Sequence, residues 1–228
     1  MLNAMVNFAE TLPRAARAPL RLHSAARTYG EIVRDVDFVL PGIALTGAFF
    51  FLFAYVGGAG YAYQSEFGLS VESFGFVFGG TGVAVLLGAM LAGRLVARIR
   101  IQMLAVAGVS LLCLGSFVAL IAGTAGIDLA GVVAGMAIAM LGLGIAEATL
   151  MSIAMSARDT AVGASVAVLG AFQLGVAGLA TPLAGQMVAH GVGVWLSLLM
   201  GISLVVMVLT AACAYRSARN GRTVAIHH

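Results

Sequence analysis

Residues 129–151 read LAGVVAGMAIAMLGLGIAEATLM, with a single charge, Glu147. About 20 consecutive apolar residues let a helix cross the hydrocarbon core of a bilayer, and this stretch is long enough. Five further runs share its character: residues 39–63, 74–95, 101–122, 161–188 and 192–215. They are long and unbroken, whereas a membrane β-barrel would show short alternating segments. The reading is therefore all-α, a polytopic membrane protein with six transmembrane helices.

The composition leads the same way. Of the 228 residues, 61% are hydrophobic and 9% charged, and the mean hydropathy is +1.06. A soluble domain carries about 25% charge, so too few charges are present to coat a water-exposed surface. Soluble enzymes, nucleic-acid binders and disordered chains are excluded on that ground. Thirty glycines against four prolines suit membrane helices, which use small residues to approach closely. Cys113 and Cys213 stand singly inside apolar runs and read as small hydrophobes, not as a metal site.

All twelve basic residues are arginine. Arg14, Arg17, Arg21, Arg27 and Arg34 precede the first span, and Arg94, Arg98 and Arg100 lie between spans two and three. Arg158 lies between spans four and five, and Arg216, Arg219 and Arg222 follow span six. With six spans, every arginine falls on one side. The positive-inside rule makes that side cytoplasmic and puts both termini there. The basic isoelectric point of about 9.2 is thus a matter of topology, not of nucleic acid. Tyr61, Tyr63, Trp195 and Tyr215 fall near span ends and read as interfacial anchors.

The chain divides into a cytoplasmic segment 1–38, a bundle 39–215 and a cytoplasmic tail 216–228. Within the first segment, Leu22, Ala26, Tyr29, Val33 and Val36 recur at helical spacing among charged positions. Two readings stand: an amphipathic helix on the membrane face, or a partly helical linker.

Spans two and five share a phrase. Leu91-Ala92-Gly93 and Leu183-Ala184-Gly185 end them, and upstream Val83-Ala84-Val85-Leu86 parallels Val166-Ala167-Val168-Leu169 at a different offset. As homology, this relates spans one to three with four to six as an inverted three-plus-three repeat, an arrangement found in transporters. As chance, it reflects a chain rich in Ala, Gly, Leu and Val.

Several stretches resemble the C-terminal half of a major facilitator superfamily (MFS) transporter, closest to the Bcr/CflA drug-resistance subfamily. Glu10-Thr11-Leu12-Pro13 is similar to the phrase after that family's sixth span, and residues 20–38 to its central linker. Phe67-Gly68-Leu69-Ser70 with Phe74-Gly75 resembles the entry to its eighth span, and Gly93-Arg94-Leu95 with Arg98 the basic loop that follows. Ala161 to Gly185, through Gly163, Ser165, Gly170, Gln173 and Pro182-Leu183, resembles its eleventh span. Two features depart from the pattern. Ala146-Glu147-Ala148-Thr149 stands where the family has a Pro-Asn pair, and no glycine marks the turn near Ile99.

Glu147 is the one ionisable residue well inside a span, in its cytoplasmic half and about one turn from the interface. A charge there costs ~2.5–3.5 kcal/mol on insertion scales, which makes it a functional candidate. A carboxylate that takes up and releases a proton is what proton-coupled transport needs; snorkelling or an interhelical hydrogen bond is the alternative. Gln173 lies mid-span, as cavity lining or as interhelical glue. Phe53 and Tyr55, from the cluster with Phe49, Phe50 and Phe51, are candidates to stack a lipophilic or cationic compound. Pro182 removes the backbone bond to Gly178 and is a candidate hinge. By resemblance, Arg94 and Arg98 hold an inner gate; as bare charges they only set topology.

No catalytic constellation is evident. Gly108-Val109-Ser110 has the context of a rhomboid-type nucleophile, but His190 lies in an outer loop, and no His/Glu cluster suits a metal. No cofactor is expected. The resemblance implies an inner-membrane antiporter exporting small lipophilic or drug-like compounds by alternating access with protons. Its partners are the lipid bilayer, the substrate, and a missing N-terminal six-helix half or a second copy. The other reading is a truncated or stand-alone six-span protein without transport, possible as a homodimer.

Overall fold

The computed structural model describes residues 29–126, 129–157 and 162–219. The described residues are helical throughout, apart from short turns. Among the described residues, six helices are long and apolar enough to cross a membrane. They are α1 (Val36–Tyr61), α2 (Val71–Leu95), α3 (Ile101–Thr124), α4 (Leu129–Ser156), α5 (Val162–Ala189) and α6 (Val192–Arg219). A π-helical turn, Ala62–Glu66, extends α1.

α1 and α2 begin before the expected span starts because polar caps start them earlier. The Asp35 carboxylate accepts from the Asp37 amide at 3.1 Å, and the Ser70 hydroxyl accepts from the Ser73 amide at 3.2 Å. Each satisfies a first-turn N–H that has no partner inside the helix. Helix formation therefore begins among charged residues that hydropathy alone assigns to loops.

Neighbours in sequence are not neighbours in space. α2 packs chiefly on α4, and α5 chiefly on α1. α3 packs on α4 and α6, and α1 also meets α6 and α4. Exchanging α1–α3 for α4–α6 maps α2·α4 onto α5·α1, and α3·α4 onto α6·α1. Burial repeats in the same way. A single register carries each buried residue of α6 onto a buried residue of α3: Trp195 onto Leu104, Leu199 onto Gly108, Ser203 onto Leu112 and Thr210 onto Ala119 among them. The same register carries Ala48, Ala54 and Tyr55 of α1 onto Ala139, Ile145 and Ala146 of α4.

For α2 and α5 the register differs by one residue. It carries all three buried positions of α2, Thr81, Gly88 and Ala92, onto Gln173, Ala180 and Ala184. The Leu-Ala-Gly phrase keeps this register and turns its alanine inward in both helices. The Val-Ala-Val-Leu match does not keep it and drops out.

Close approach holds the centre together. A Cβ on Gly144 would collide with the Val85 carbonyl, and one on Gly88 with the Leu141 carbonyl. Two glycines thus let the backbones of α2 and α4 touch, and dispersion acts where lipid gives no hydrophobic drive.

Two expectations for the ends change. Tyr61 and Tyr215 are exposed as interfacial anchors should be, but Tyr63 and Trp195 are fully buried. Aromatic neighbours from three helices enclose them before lipid can. Of the amphipathic positions, Leu22 and Ala26 lie outside the described residues. In the described part of that segment, residues 29–34 are helical, and Ile32 is the buried residue, while Tyr29, Val33 and Val36 are exposed.

Candidate functional site

α1 and α4 form the middle of the bundle. α2 and α5 hold equivalent places outside them and are the least covered spans, 17% and 22% buried over their most apolar windows. Their outward faces carry Gly75, Gly79 and Gly82 on α2, and Gly170, Gly175 and Gly178 on α5, with no atom near where a Cβ would stand. These are helix faces shaped for close approach by something outside the described bundle.

Glu147 lies on α4. The helix continues to Ser156, beyond the expected span end, so Glu147 sits about 14 Å along the axis from the helix end at 1.5 Å per residue. Its Oε1 is buried and has no hydrogen-bond partner among the described residues. Its counterpart on α1, in the register that pairs Tyr55 with Ala146, is Val56, which is 45% exposed. Both residues belong to the sides of the two central helices that the bundle leaves open.

Tyr55 and Phe53 are not brought together. Two residues apart on a helix, they point about 200° from one another. Tyr55 is buried in an aromatic cluster between α1, α2 and α6. It stacks on Phe78 at 5.9 Å and on Trp195 at 6.1 Å between ring centroids. Tyr63 meets Tyr55 and Trp195 edge-on, and Phe74 joins through Phe78 at 5.4 Å. The Tyr55 hydroxyl lies 3.2 Å from Thr81 Oγ1. Thr81 donates its own proton to the Phe78 carbonyl at 2.7 Å, so Tyr55 is the donor between the two. Phe53 is half-buried at the edge of the core.

Gln173 falls on the buried stripe of α5, four residues after Leu169 and four before Ala177, and α5 packs chiefly on α1. Its position is that of interhelical contact. Pro182 does not interrupt α5, which runs unbroken from Val162 to Ala189. Next to it, Thr181 lies so close to Gly57 of α1 that a Cβ there would stand 2.9 Å from the Thr181 Cα. Arg94 closes α2 and Arg98 lies in the turn after it; both are exposed. Neither has an ion-pair partner among the described residues.

Three features escaped the sequence reading. Trp195 Nε1–H donates to the Ala54 carbonyl at 3.0 Å and lies flush on Gly58. Arg216 of α6 reaches Asp37 of α1 at 3.5 Å. The π-helical turn at Ala62–Glu66 re-aims the end of α1, in a conformation frequent at functional sites. The Gly57-Gly58 pair beside an aromatic-rich stretch was the signal available for the first. The other two have no local signature.

No family model matches the chain. Over 178 residues it is 30% identical to a Bacillus subtilis (strain 168) protein described as the uncharacterized MFS-type transporter YdgK; the match takes in 77% of this chain and 44% of that protein. The chain thus spans less than half the length of the relative it matches.

Proposed function

We infer that the chain is the C-terminal six-helix half of a major facilitator superfamily transporter, working by proton-coupled export of small lipophilic compounds. The observation that carries this reading is the alignment with under half of an MFS-type transporter, taken with the two bare helix faces of α2 and α5. A second six-helix bundle covers those faces, and the substrate path runs between the two bundles along α1 and α4. The arginine-bearing end is cytoplasmic and the membrane is the inner one. Glu147, on the open side of α4 with an unpartnered carboxylate oxygen, is the proton carrier. The apolar surroundings of Phe53 and Val56 suit a lipophilic cargo; this substrate class and the Bcr/CflA affinity rest on the resemblance of the sequence stretches.

Everted membrane vesicles test this. They carry the chain together with the N-terminal six-helix half that this reading requires, and a lipophilic dye reports transport. Dye movement driven by an imposed proton gradient, and lost in Glu147→Gln, is the expected result. Movement indifferent to the gradient overturns proton coupling. An upstream frame with no further spans overturns the half-transporter reading.

A further inference from the structure

At the arginine-bearing end, α3 begins beside the last turns of α6. Between them lies a groove of about 310 Å³, lined by Arg100, Gln102 and Ser217 on its polar side and by Met103, Val106 and Ala214 on its apolar side. Arg100 is exposed and makes no ion pair or hydrogen bond among the described residues. Behind Gln102 and Ala214 a narrow gap reaches Thr210, too tight to admit a water molecule. Two polar atoms there lack partners: Gln102 Nε2 and Thr210 Oγ1. Thr210 is 1% exposed, and leaving a buried polar group unpaired costs about 1–3 kcal/mol. Met103 is 57% exposed, so the apolar wall opens sideways from the bundle, where acyl chains lie. This combination is a cation at the mouth, the Ser217 hydroxyl beside it and an apolar wall along the helices.

We propose that this groove binds an anionic phospholipid, with its phosphate on Arg100 and Ser217 and an acyl chain along Met103, Val106 and Ala214. The charge favours an anionic lipid over a zwitterionic one, since basic pockets between membrane helices hold such headgroups. The proposal rests on the spans crossing a bilayer and is independent of what the protein transports.

Native mass spectrometry of the detergent-purified chain tests it, with phosphatidylglycerol, phosphatidylcholine and inorganic phosphate as probes. The expected result is one retained phosphatidylglycerol in preference to phosphatidylcholine. Retention falls about fivefold in Arg100→Gln, the loss of one interfacial cation, and falls also in Ala214→Phe, which fills the groove. Arg94→Gln, away from the groove, leaves retention unchanged. Equal retention of the two lipids overturns the proposal, as does retention unaffected by Arg100→Gln. Displacement of the lipid by millimolar inorganic phosphate assigns the site to free phosphate and overturns the lipid reading. Arg100 is on the surface, so its variant keeps the test decisive even if Ala214→Phe does not fold.

Discussion

The indole of Trp195 donates a hydrogen bond to the carbonyl of Ala54 at 3.0 Å, fastening the last span to the middle of the first. The contact is buried, and it works only because Gly58 has no side chain where the ring lies. Trp195→Phe keeps most of the apolar area and removes the donor. We expect a loss of about 1 kcal/mol, the scale of an interhelical hydrogen bond in membrane proteins, read by denaturant unfolding in mixed micelles. Gly58→Ala displaces the ring and costs more. Equal stability of wild type and both variants would show that the latch carries no weight.

Gly144 and Gly79 should respond in opposite ways to alanine. A Cβ on Gly144 meets the Val85 carbonyl, whereas nothing stands near Gly79. Overpacking of a tight contact costs about 1–3 kcal/mol, while a free surface site changes stability within about 0.5 kcal/mol. Thermal unfolding of the two variants side by side checks the contrast.

The bare faces give a prediction about assembly. Gly79→Leu and Gly178→Leu should leave the six-helix bundle folded. If a second bundle covers α2 and α5, the same variants reduce its co-purification severalfold. Undiminished co-purification would locate the partner elsewhere.

Glu147→Gln should abolish the response of transport to the proton gradient while leaving the protein in the membrane at the wild-type level. Glu147→Asp should restore part of that response, because it keeps a carboxylate on the open side of α4. A gradient response kept by the glutamine variant removes Glu147 from the coupling step.

The Arg216–Asp37 pair is 3.5 Å long, with side chains 48% and 33% exposed. Water and salt screen such a pair, and its worth is typically 0–1 kcal/mol. Arg216→Gln should therefore lower stability by about 1 kcal/mol or less at low salt and by nothing measurable near 1 M salt. A large, salt-independent loss would mean that Arg216 acts through packing.

Six spans were legible because a run such as residues 129–151 leaves its backbone no partner but itself in lipid. The ends were less so, since Asp35 and Ser70 begin helices among residues that hydropathy counts as loop. The repeat was half legible: Leu-Ala-Gly carried the true register, while Val-Ala-Val-Leu, common in any such composition, pointed to another. Glu147 was found by being the lone charge well inside a span, but its unpartnered carboxylate oxygen needed the packed helices to be seen. The partner of each helix could not be read. Lipid and protein present the same apolar character to Ala, Gly and Leu, so burial leaves no clear stripe in the sequence, and Trp195 was taken for an anchor for that reason.

The exchanged packing of the two triplets has a consequence in time. α1 leans chiefly on α5 and α6, and Trp195 follows Ala54 by 141 residues. A ribosome adding about 5–20 residues each second needs roughly 7–28 seconds to cover that distance. Through that interval the first helix has left the ribosome without its latch, among lipids or chaperones. Closure of the bundle therefore waits for the sixth span: an mRNA cut short before it yields helices in the bilayer but no shut core.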